Sequence, residues 1–158
     1  MRKFEKISFE QFKKDVADDK ILYDSFILPK RKTKFSAGYD FVSLKDVTLH
    51  PGEDALIPTG VKAMIEPDDV LFIIIRSSLG FKYNIRLVNQ VGVIDADYYN
   101  NESNEGHILV KWKNEGNKDY KIEVGSAIAQ GLIIKYNAVD DEDNNMEIRT
   151  GGIGSTDK

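Results

Sequence analysis

The sequence predicts an all-β fold of the jelly-roll or β-sandwich type, and three features lead to that prediction. Apolar residues between positions 41 and 134 are concentrated in short runs, which is typical of strands. Turn dipeptides such as Pro51-Gly52 and Thr59-Gly60 separate these runs. No long helical pattern interrupts them. Many short strands at regular spacing are typical of sandwiches and barrels.

A short helix is predicted ahead of the strands. Phe9, Phe12 and Val16 recur at helical spacing, which predicts an amphipathic helix from residue 9 to about residue 17. Ser8 and Gln11 have the spacing of a capping box, in which each side chain bonds the backbone of the other residue. The predicted strands cover residues 41–44, 46–49, 55–58, 61–65, 70–75, 85–88, 107–112, 120–122 and 128–134.

The length and composition indicate one globular domain with two attached segments. At 158 residues, of which 41% are apolar and 30% charged, the chain can bury a substantial core. We predict a single β domain over residues 1–136, in which residues 1–24 form a helical extension. Residues 137–158 are predicted to be an acidic, polar linker that leads to a flexible glycine-rich arm.

Charge and residue content argue against several functional classes. The net charge of −4 does not suit a nucleic-acid groove, which needs a basic face. The chain has no cysteine, so disulfides and thiolate chemistry are excluded. His50 and His107 are far apart in sequence, so we expect ordinary surface or strand residues and not a histidine-rich zinc site. We see no apolar segment of signal or membrane length and expect a soluble, cytoplasmic protein without nucleic-acid or membrane partners.

The stretch Gly92-Val93-Ile94-Asp95-Ala96-Asp97-Tyr98-Tyr99 contains the first candidate for catalysis. If this stretch stays extended, Asp95 and Asp97 point to the same face. If the strand turns after Ile94, the two acids separate. A carboxylate at the end of an apolar strand has surroundings that can tune its pKa for proton transfer. The alternative is a strand that simply ends in an acidic turn.

Two further segments have the chemistry of anion binding. Arg76-Ser77-Ser78 follows the most hydrophobic strand and can present a guanidinium and two hydroxyls at one point, although a polar strand end is an equal alternative. The tail of residues 149–156 is rich in glycine, and its backbone N–H groups can surround phosphate oxygens. It lacks the Gly-Lys-Ser/Thr of a Walker loop. The basic run of residues 30–34 is interpreted as a solvated loop, and the alternative is a cationic rim for an anion.

Five segments gain meaning when they are taken together and in order. They are Ala-Gly-Tyr-Asp at 37–40, Arg-Ser-Ser-Leu-Gly at 76–80, Asn-Gln-Val-Gly-Val-Ile-Asp-Ala-Asp-Tyr at 89–98, Gly-Ser-Ala-Ile-Ala-Gln at 125–130 and Gly-Gly-Ile-Gly-Ser-Thr at 151–156. In order and spacing they resemble the five motifs of the trimeric deoxyuridine triphosphatase (dUTPase) family. The resemblance extends from about residue 27 to the C-terminus and leaves out the N-terminal helix.

The resemblance implies a jelly-roll homotrimer of the dUTPase β-clip type, with three active sites at subunit contacts. The implied reaction is hydrolysis of dUTP to dUMP and pyrophosphate with Mg²⁺. Asp95 matches the general base that activates the water attacking the α-phosphorus, and Asp40 matches an acid close to magnesium-bound waters. Tyr98 matches the tyrosine that packs on the deoxyribose. The other matches are the uracil-binding residues Asn89, Gly92, Val93 and Ile94, the phosphate-binding residues Arg76, Ser77, Ser78 and Gln130, and the closing-arm residues Arg149, Gly151, Gly152, Ile153, Ser155 and Thr156.

The chain departs from the family pattern at three places. A polar insertion of residues 100–106 follows the third motif, which commonly continues Tyr-Arg-Gly. Ser126 and Ala127 stand where the fourth motif commonly has an acid and a base, so we expect a different subunit contact. Ile153 stands where the arm normally has an aromatic residue that stacks on uracil. Closure is therefore expected to depend more on Arg149 and the glycine backbone.

Two other functions remain open at this stage. A dCTP deaminase, or a deaminase–dUTPase hybrid, has the same fold but needs a glutamate beside the pyrimidine ring. Glu102 and Glu105 are candidates through sequence proximity alone. The second alternative is a nucleotide-binding regulatory trimer that acts through its insertion or its N-terminal helix. Asn89, the complete arm and Asp95 favour hydrolysis of dUTP.

Overall fold

The computed structural model describes residues 1–141 and residue 151, and it confirms the all-β prediction. The helices of this part of the chain are short: α1 (Phe9–Asp15), α2 (Lys20–Ser25) and α3 (Ser77–Tyr83), with a 3₁₀ helix at Ala96–Tyr98. The strands are β1 (Lys3–Lys6), β2 (Tyr39–Val42), β3 (Val47–Leu49), β4 (Asp54–Pro58), β5 (Val61–Met64), β6 (Asp69–Ile74), β7 (Ile85–Leu87), β8 (Gly92–Ile94), β9 (Leu109–Asn114), β10 (Tyr120–Ile122) and β11 (Ala127–Lys135).

The strands pair into antiparallel sheets that enclose one core. The largest sheet has the order β2-β11-β6-β8 and the second has the order β4-β9-β7, while β1 pairs with β5 and β10 pairs with β3. Trp112 of β9 is buried and donates its indole N–H to the carbonyl of Ile128 on β11 at 3.1 Å. This bond joins the two larger sheets through the core, as expected for a sandwich.

The nine predicted strand ranges are confirmed, with shifted ends. Of the two other strands in the described part of the chain, β8 is the one that was considered with the stretch from Gly92 to Tyr99, and β1 was missed. Lys3–Lys6 contains a single apolar residue, Phe4, so it has no strand signal of its own. It forms β1 because β5 offers a pairing edge, on which Lys3 lies opposite Met64. The Phe4 ring also packs edge-on against Phe41, with 5.5 Å between ring centroids. Tertiary pairing therefore decides the conformation of this segment.

The predicted N-terminal helix is confirmed as α1, which ends two residues early, and a second helix that was not predicted, α2, follows it. Ser8 caps α1 as expected, since its hydroxyl accepts the N–H of Gln11 at 3.1 Å. Gln11 does not complete the capping box, because its amide bonds Asp15 at 2.8 Å. Helix α1 ends at Asp15, and Asp19 caps α2 by accepting the N–H of Leu22 at 2.8 Å. Short caps of this kind end one helix and begin the next within a few residues.

His107 proves to be a buried structural residue and not an ordinary strand or surface group. It lies just before β9 and is fully buried. Its Nε2 accepts the N–H of Gly60 at 2.9 Å, and its Nδ1 lies 2.6 Å from a carboxylate oxygen of Asp15. Because Nε2 accepts a hydrogen bond, the His107 ring that makes these contacts is neutral and carries its proton on Nδ1. Burial lowers the pKa of His107 and outweighs the opposing effect of Asp15.

We expect the free energy of unfolding to fall as the pH is lowered from 8 to 5.5. The unfolded chain takes up a proton on His107 near pH 6.5, while the folded chain resists it, so acid favours the unfolded state. The free energy of unfolding falls by at most about 1.4 kcal/mol per pH unit, which is the limit when unfolding takes up one proton. Urea unfolding of the His50→Gln protein measures it, since His50, whose pKa is raised by Asp119, acts in the opposite direction.

His107→Gln in the same background provides the comparison, because glutamine keeps an acceptor for the Gly60 N–H but does not titrate. Its stability is expected to change less with pH over this range. An equal slope in both proteins would show that other groups cause the dependence.

Candidate active site

One group of predicted site residues is brought together by three neighbouring strands. In the register of the largest sheet, Asp40 of β2 lies opposite Gln130 of β11, and Gln130 lies opposite Ile74 of β6. Arg76 follows two residues after Ile74, where β6 has ended. The backbone pairing alone therefore brings a carboxylate, an amide and a guanidinium close together on adjacent strands, near the end of β6.

These side chains line a pocket of about 240 Å³, which we call the cationic pocket. Arg76 Nε lies 3.1 Å from one oxygen of Asp40, and Lys32 Nζ lies 3.6 Å from the other. A guanidinium has five N–H donors, so its pairing with Asp40 leaves donors for an anion. The pocket is lined by Lys32, Ser36, Gly38, Asp40, Arg76, Ser77, Ser78 and Gln130.

Ser77 and Ser78 stand at the start of α3 on the rim of the cationic pocket. Both are exposed, and the N–H of Leu79 bonds the carbonyl of Arg76 at 3.0 Å to begin the helix. The first N–H groups of a helix have no acceptor within it, so they are available to an anion. Gly38 faces this pocket, and a Cβ there would collide with the side-chain oxygen of Gln130.

The basic run of residues 30–34 contributes more than the predicted solvated loop. Lys32 lines the cationic pocket and approaches Asp40, while Arg31 lies over the Tyr39 ring at 5.8 Å from its centroid. Sequence analysis did not single out Lys32, because it favoured the solvated loop over the cationic rim for this run. The signal that could have found it is its position shortly before the first motif.

A second group of predicted residues lines a separate pocket of about 240 Å³, which we call the apolar pocket. Gly92 opens β8 opposite Ile73 of β6, and a Cβ on Gly92 would lie 3.1 Å from the Ile73 Cβ. The absence of a side chain lets β8 approach β6 closely. The lining residues are Ile73, Leu87, Asn89, Gly92, Val93, Ile94, Tyr98, Leu109, Val110 and Lys111.

A tight turn brings Asn89 to the apolar pocket. The N–H of Val91 bonds the carbonyl of Asn89 at 2.7 Å, and the N–H of Gln90 bonds that of Leu87 at 3.1 Å. Gln90 has a φ of 65°, in the left-handed region that tight turns require. The flanking strands β7 and β8 belong to different sheets. The turn therefore connects two sheets and does not close a paired hairpin.

Asp95 stands where β8 ends, beside the pocket residue Ile94. Its backbone is extended, with φ −83° and ψ 160°, and its carbonyl accepts the N–H of Tyr98 at 3.1 Å to form the 3₁₀ helix. The strand therefore turns after Ile94, and this decides between the two predicted geometries: Asp95 and Asp97 do not continue one strand face. Asp95 is half-buried.

Tyr98 is buried at the edge of the apolar pocket, and both roles of its hydroxyl are occupied. The hydroxyl donates to the His107 carbonyl at 3.0 Å and accepts from the amide of Asn104 at 2.9 Å. Gly106 closes this loop with a φ of 81°, and a Cβ there would lie 2.6 Å from the Tyr98 carbonyl oxygen. Sequence reasoning missed the contact of Asn104 because polar loop residues in the sequence predict only turns.

The two groups of predicted residues lie in two pockets whose lining residues do not overlap. Within residues 1–141 and 151, no group of three or more His, Cys, Asp or Glu side chains could hold a metal ion. The same part of the chain contains no helix that could cross a membrane. Of the predicted arm, Gly151 is described, and the predicted residues outside the described part are Arg149, Gly152, Ile153, Ser155 and Thr156.

The Glu105 carboxylate faces the N-terminal segment. It accepts the backbone N–H of Ser8 at 2.9 Å and the Ser8 hydroxyl at 2.5 Å, and Lys62 lies 3.5 Å away. Burial raises the pKa of Glu105, but the Ser8 bonds and Lys62 lower it further, so the net shift is downward. A carboxylate held in its ionised form by these partners does not suit proton transfer to a pyrimidine.

Comparison with known proteins gives the class and then the family. A family model described as dUTPase matches residues 24–157. The deoxyuridine 5′-triphosphate nucleotidohydrolase of Lactococcus lactis subsp. lactis (strain IL1403) is 45% identical over 130 residues, which cover 82% of this chain and 87% of that protein. The protein of the same name from Haemophilus influenzae (strain PittEE) is 38% identical over 148 residues, 89% of this chain and 93% of that protein.

Solved structures agree with these relatives. The crystal structure of the dUTPase from Streptococcus mutans matches with a TM-score of 0.71 and 36% identity, over 87% of this chain and 98% of that one. A mutant dUTPase of Staphylococcus aureus phage phi11, described with a coordinated structural Mg(II) ion, shares the fold with a TM-score of 0.68 and 22% identity, over 92% and 97% of the two chains.

These relatives place the protein in the class of nucleotide-hydrolysing enzymes. Within that class, the chain belongs to the dUTPase family.

Proposed function

We propose that this protein hydrolyses dUTP to dUMP and pyrophosphate by attack of water on the α-phosphorus. The observation that carries the proposal is the grouping of Asp40, Arg76 and Gln130 in one pocket of a chain of the dUTPase family. The relatives from L. lactis and H. influenzae are named for the same reaction. A nucleotide-binding site requires hydrogen-bond donors for the phosphates and an apolar surface for the base. The cationic pocket and the apolar pocket provide these two parts.

The apolar pocket supports binding of the deoxyuridine portion. Asn89 and the backbone of Gly92, Val93 and Ile94 provide donors and acceptors for the uracil edge, and Tyr98 packs on the deoxyribose. Uracil and cytosine differ in the positions of donor and acceptor, and each buried mispaired group costs roughly 1–3 kcal/mol. In this proposal the shape of the pocket beside β8 excludes the methyl group of thymine, and the Tyr98 ring on the sugar disfavours a 2′-hydroxyl.

The cationic pocket supports binding of the triphosphate. Arg76 and Lys32 supply positive charge, and the hydroxyl and N–H groups of Ser77 and Ser78 supply hydrogen bonds. Gln130 contributes an amide donor. Asp40, which lies between the two cations, keeps Arg76 in place and can hold the water shell of a metal ion.

Mg²⁺ fits this pocket as an ion held through its waters. It binds few protein groups directly and keeps most of its water, so a single carboxylate, Asp40, together with the substrate phosphates can hold it. When bound, it neutralises phosphate charge. Asp95 is the proposed general base, which orients the attacking water and removes its proton, a contribution of about 10²–10⁴-fold.

We also propose that the active protein is a homotrimer in which each site combines residues of different subunits. Val88, Val91 and Val93 beside the apolar pocket are exposed at 38%, 42% and 56%, an apolar surface that suits a subunit contact. Residues 137–158 would then form the linker and arm that close over the nucleotide. The arm residues would be Arg149, Gly151, Gly152, Ile153, Ser155 and Thr156.

Pyrophosphate release from dUTP, dTTP, dCTP and UTP tests the proposal. With Mg²⁺ present, we expect activity on dUTP alone, and removal of Mg²⁺ with a chelator is expected to reduce it because the phosphate charge is then less well neutralised. Ammonia release from dCTP would favour the deaminase alternative. Measurable turnover of dTTP would show that the apolar pocket does not select the base in the proposed way.

A further inference from the structure

We propose that Asn104 is a positioning residue, which sets the orientation of the Tyr98 ring and so the selection of deoxyribose over ribose. This inference rests on the proposed function, because it takes Tyr98 as the residue that packs on the sugar. Asn104 lies in the polar insertion of residues 100–106, outside the segments that match the family motifs.

The first observation is that the Tyr98 hydroxyl is held from two sides. It donates to the carbonyl of His107 at 3.0 Å, and Asn104 Nδ2 donates to it at 2.9 Å. Tyr98 is 4% exposed. A phenol has one proton, and Tyr98 donates it to the His107 carbonyl. The hydroxyl can take part in a second bond only as an acceptor, and Asn104 provides the donor for that bond. Together the two bonds determine where the hydroxyl end of the ring lies.

The second observation is that Asn104 is itself held in place. Its Oδ1 accepts the amide of Asn101 at 2.8 Å and the N–H of Gly106 at 3.1 Å. Its backbone carbonyl accepts the N–H of His107 at 3.0 Å. The amide therefore has one orientation, with Oδ1 toward the loop backbone and Nδ2 toward Tyr98. A side chain with this many partners can fix a neighbouring ring.

The third observation is that the insertion is fastened to the N-terminal segment. Glu105, the neighbour of Asn104, accepts both the N–H and the hydroxyl of Ser8, which caps α1. The ring of His107 bonds Asp15 at the other end of α1 at 2.6 Å. Both contacts of α1 are therefore with residues that closely follow Asn104 in sequence, and they tie the loop that contains Asn104 to this helix.

The chemical consequence concerns the sugar. Discrimination against a 2′-hydroxyl depends on how closely the ring approaches the ribose, and small displacements of a positioned group can change rates strongly. Without the Asn104 donor, the ring keeps one bond and can pivot about it. The enzyme would then bind dUTP less well and exclude UTP less strictly, while the water and phosphate machinery stays in place.

The test is a double-mutant cycle of Asn104→Asp and Tyr98→Phe. Asn104→Asp keeps Oδ1 and the shape of the side chain but replaces the Nδ2 donor. We expect KM for dUTP to rise about fivefold to tenfold, the amount one lost hydrogen bond explains, with kcat much less affected. The preference for dUTP over UTP is expected to fall by a similar factor. In the Tyr98→Phe protein, Asn104→Asp should then cause no further change.

Asn117→Asp is the matched control, since it makes the same chemical change at an exposed position in a distant turn. It should leave both constants unchanged. Tyr98→Phe alone gives an independent measurement if Asn104→Asp does not fold, because it removes only the hydroxyl and should also reduce sugar selection. Additive effects of the two substitutions, or unaltered sugar selection in Tyr98→Phe, would overturn the inference. Wild-type protein without dUTP hydrolysis would instead overturn the proposed function.

Discussion

Replacement of Asp95 by asparagine is expected to lower kcat for dUTP by at least about 10²-fold, the lower end of what one general base contributes. Asparagine has nearly the same shape but cannot accept the proton of the attacking water. KM is expected to change little, because neither pocket loses a lining residue. Pyrophosphate release under saturating dUTP and Mg²⁺ measures the effect, and urea unfolding checks that stability is retained.

Asp97→Asn is the matched comparison for this experiment. It makes the same change two residues away, beyond the point where β8 turns into the 3₁₀ helix. We expect a smaller reduction in kcat than for Asp95→Asn. If Asp97→Asn had the larger effect, or if Asp95→Asn left kcat unaffected, the assignment of the general base would be wrong.

Two inactive variants are expected to restore each other when they are unfolded and refolded together. Asp95→Asn damages the water-activating group beside the apolar pocket, and Arg76→Ala damages the cationic pocket. If each site takes these groups from different subunits, some mixed trimers contain sites with both groups intact. In an equal mixture with random assembly, a site receives an intact Asp95 from one subunit with a chance of about one half. It receives an intact Arg76 from the neighbouring subunit with the same chance, so about one quarter of the sites contain both intact groups.

The restored activity should therefore be about one quarter of the wild-type value, whereas each variant refolded alone stays inactive. Mixing the folded variants without unfolding should restore less, because subunits must first exchange. A refolded mixture as inactive as its components, together with a trimeric mass, would mean that Asp95 and Arg76 act within the same subunit.

Local sequence was sufficient to predict the strands and the family. The alternation of apolar runs with turn dipeptides such as Pro51-Gly52 predicted the strands because side-chain periodicity and turn chemistry are properties of a few adjacent residues. The five motifs identified the dUTPase family because their order and spacing are specific, and the family match confirms this. The roles assigned to Asp95, Tyr98 and the arm remain predictions.

Local sequence failed where a distant partner decides the structure. Strand β1 exists because β5 pairs with it, although its own residues carry no strand signal. Of the capping box predicted at Ser8, the bond from the Gln11 N–H to the Ser8 hydroxyl is confirmed. The Ser8 N–H was expected to bond the Gln11 side chain and instead bonds Glu105, 97 positions away in sequence. His107 was expected to be ordinary and is instead a buried link between α1 and the Gly60 turn.

The sequence by itself determined the β architecture, the family and the set of chemical groups available to the site. Only the tertiary structure decided that Asp40, Gln130 and Arg76 meet in one pocket, because that meeting depends on the register of β2, β11 and β6. It also decided that Asn104 holds Tyr98, since a polar loop has no periodicity from which a contact can be predicted. The physical reason is the same in both cases: patterns along the chain encode which face a residue occupies, whereas its partner is set by the packing of segments that are far apart in sequence.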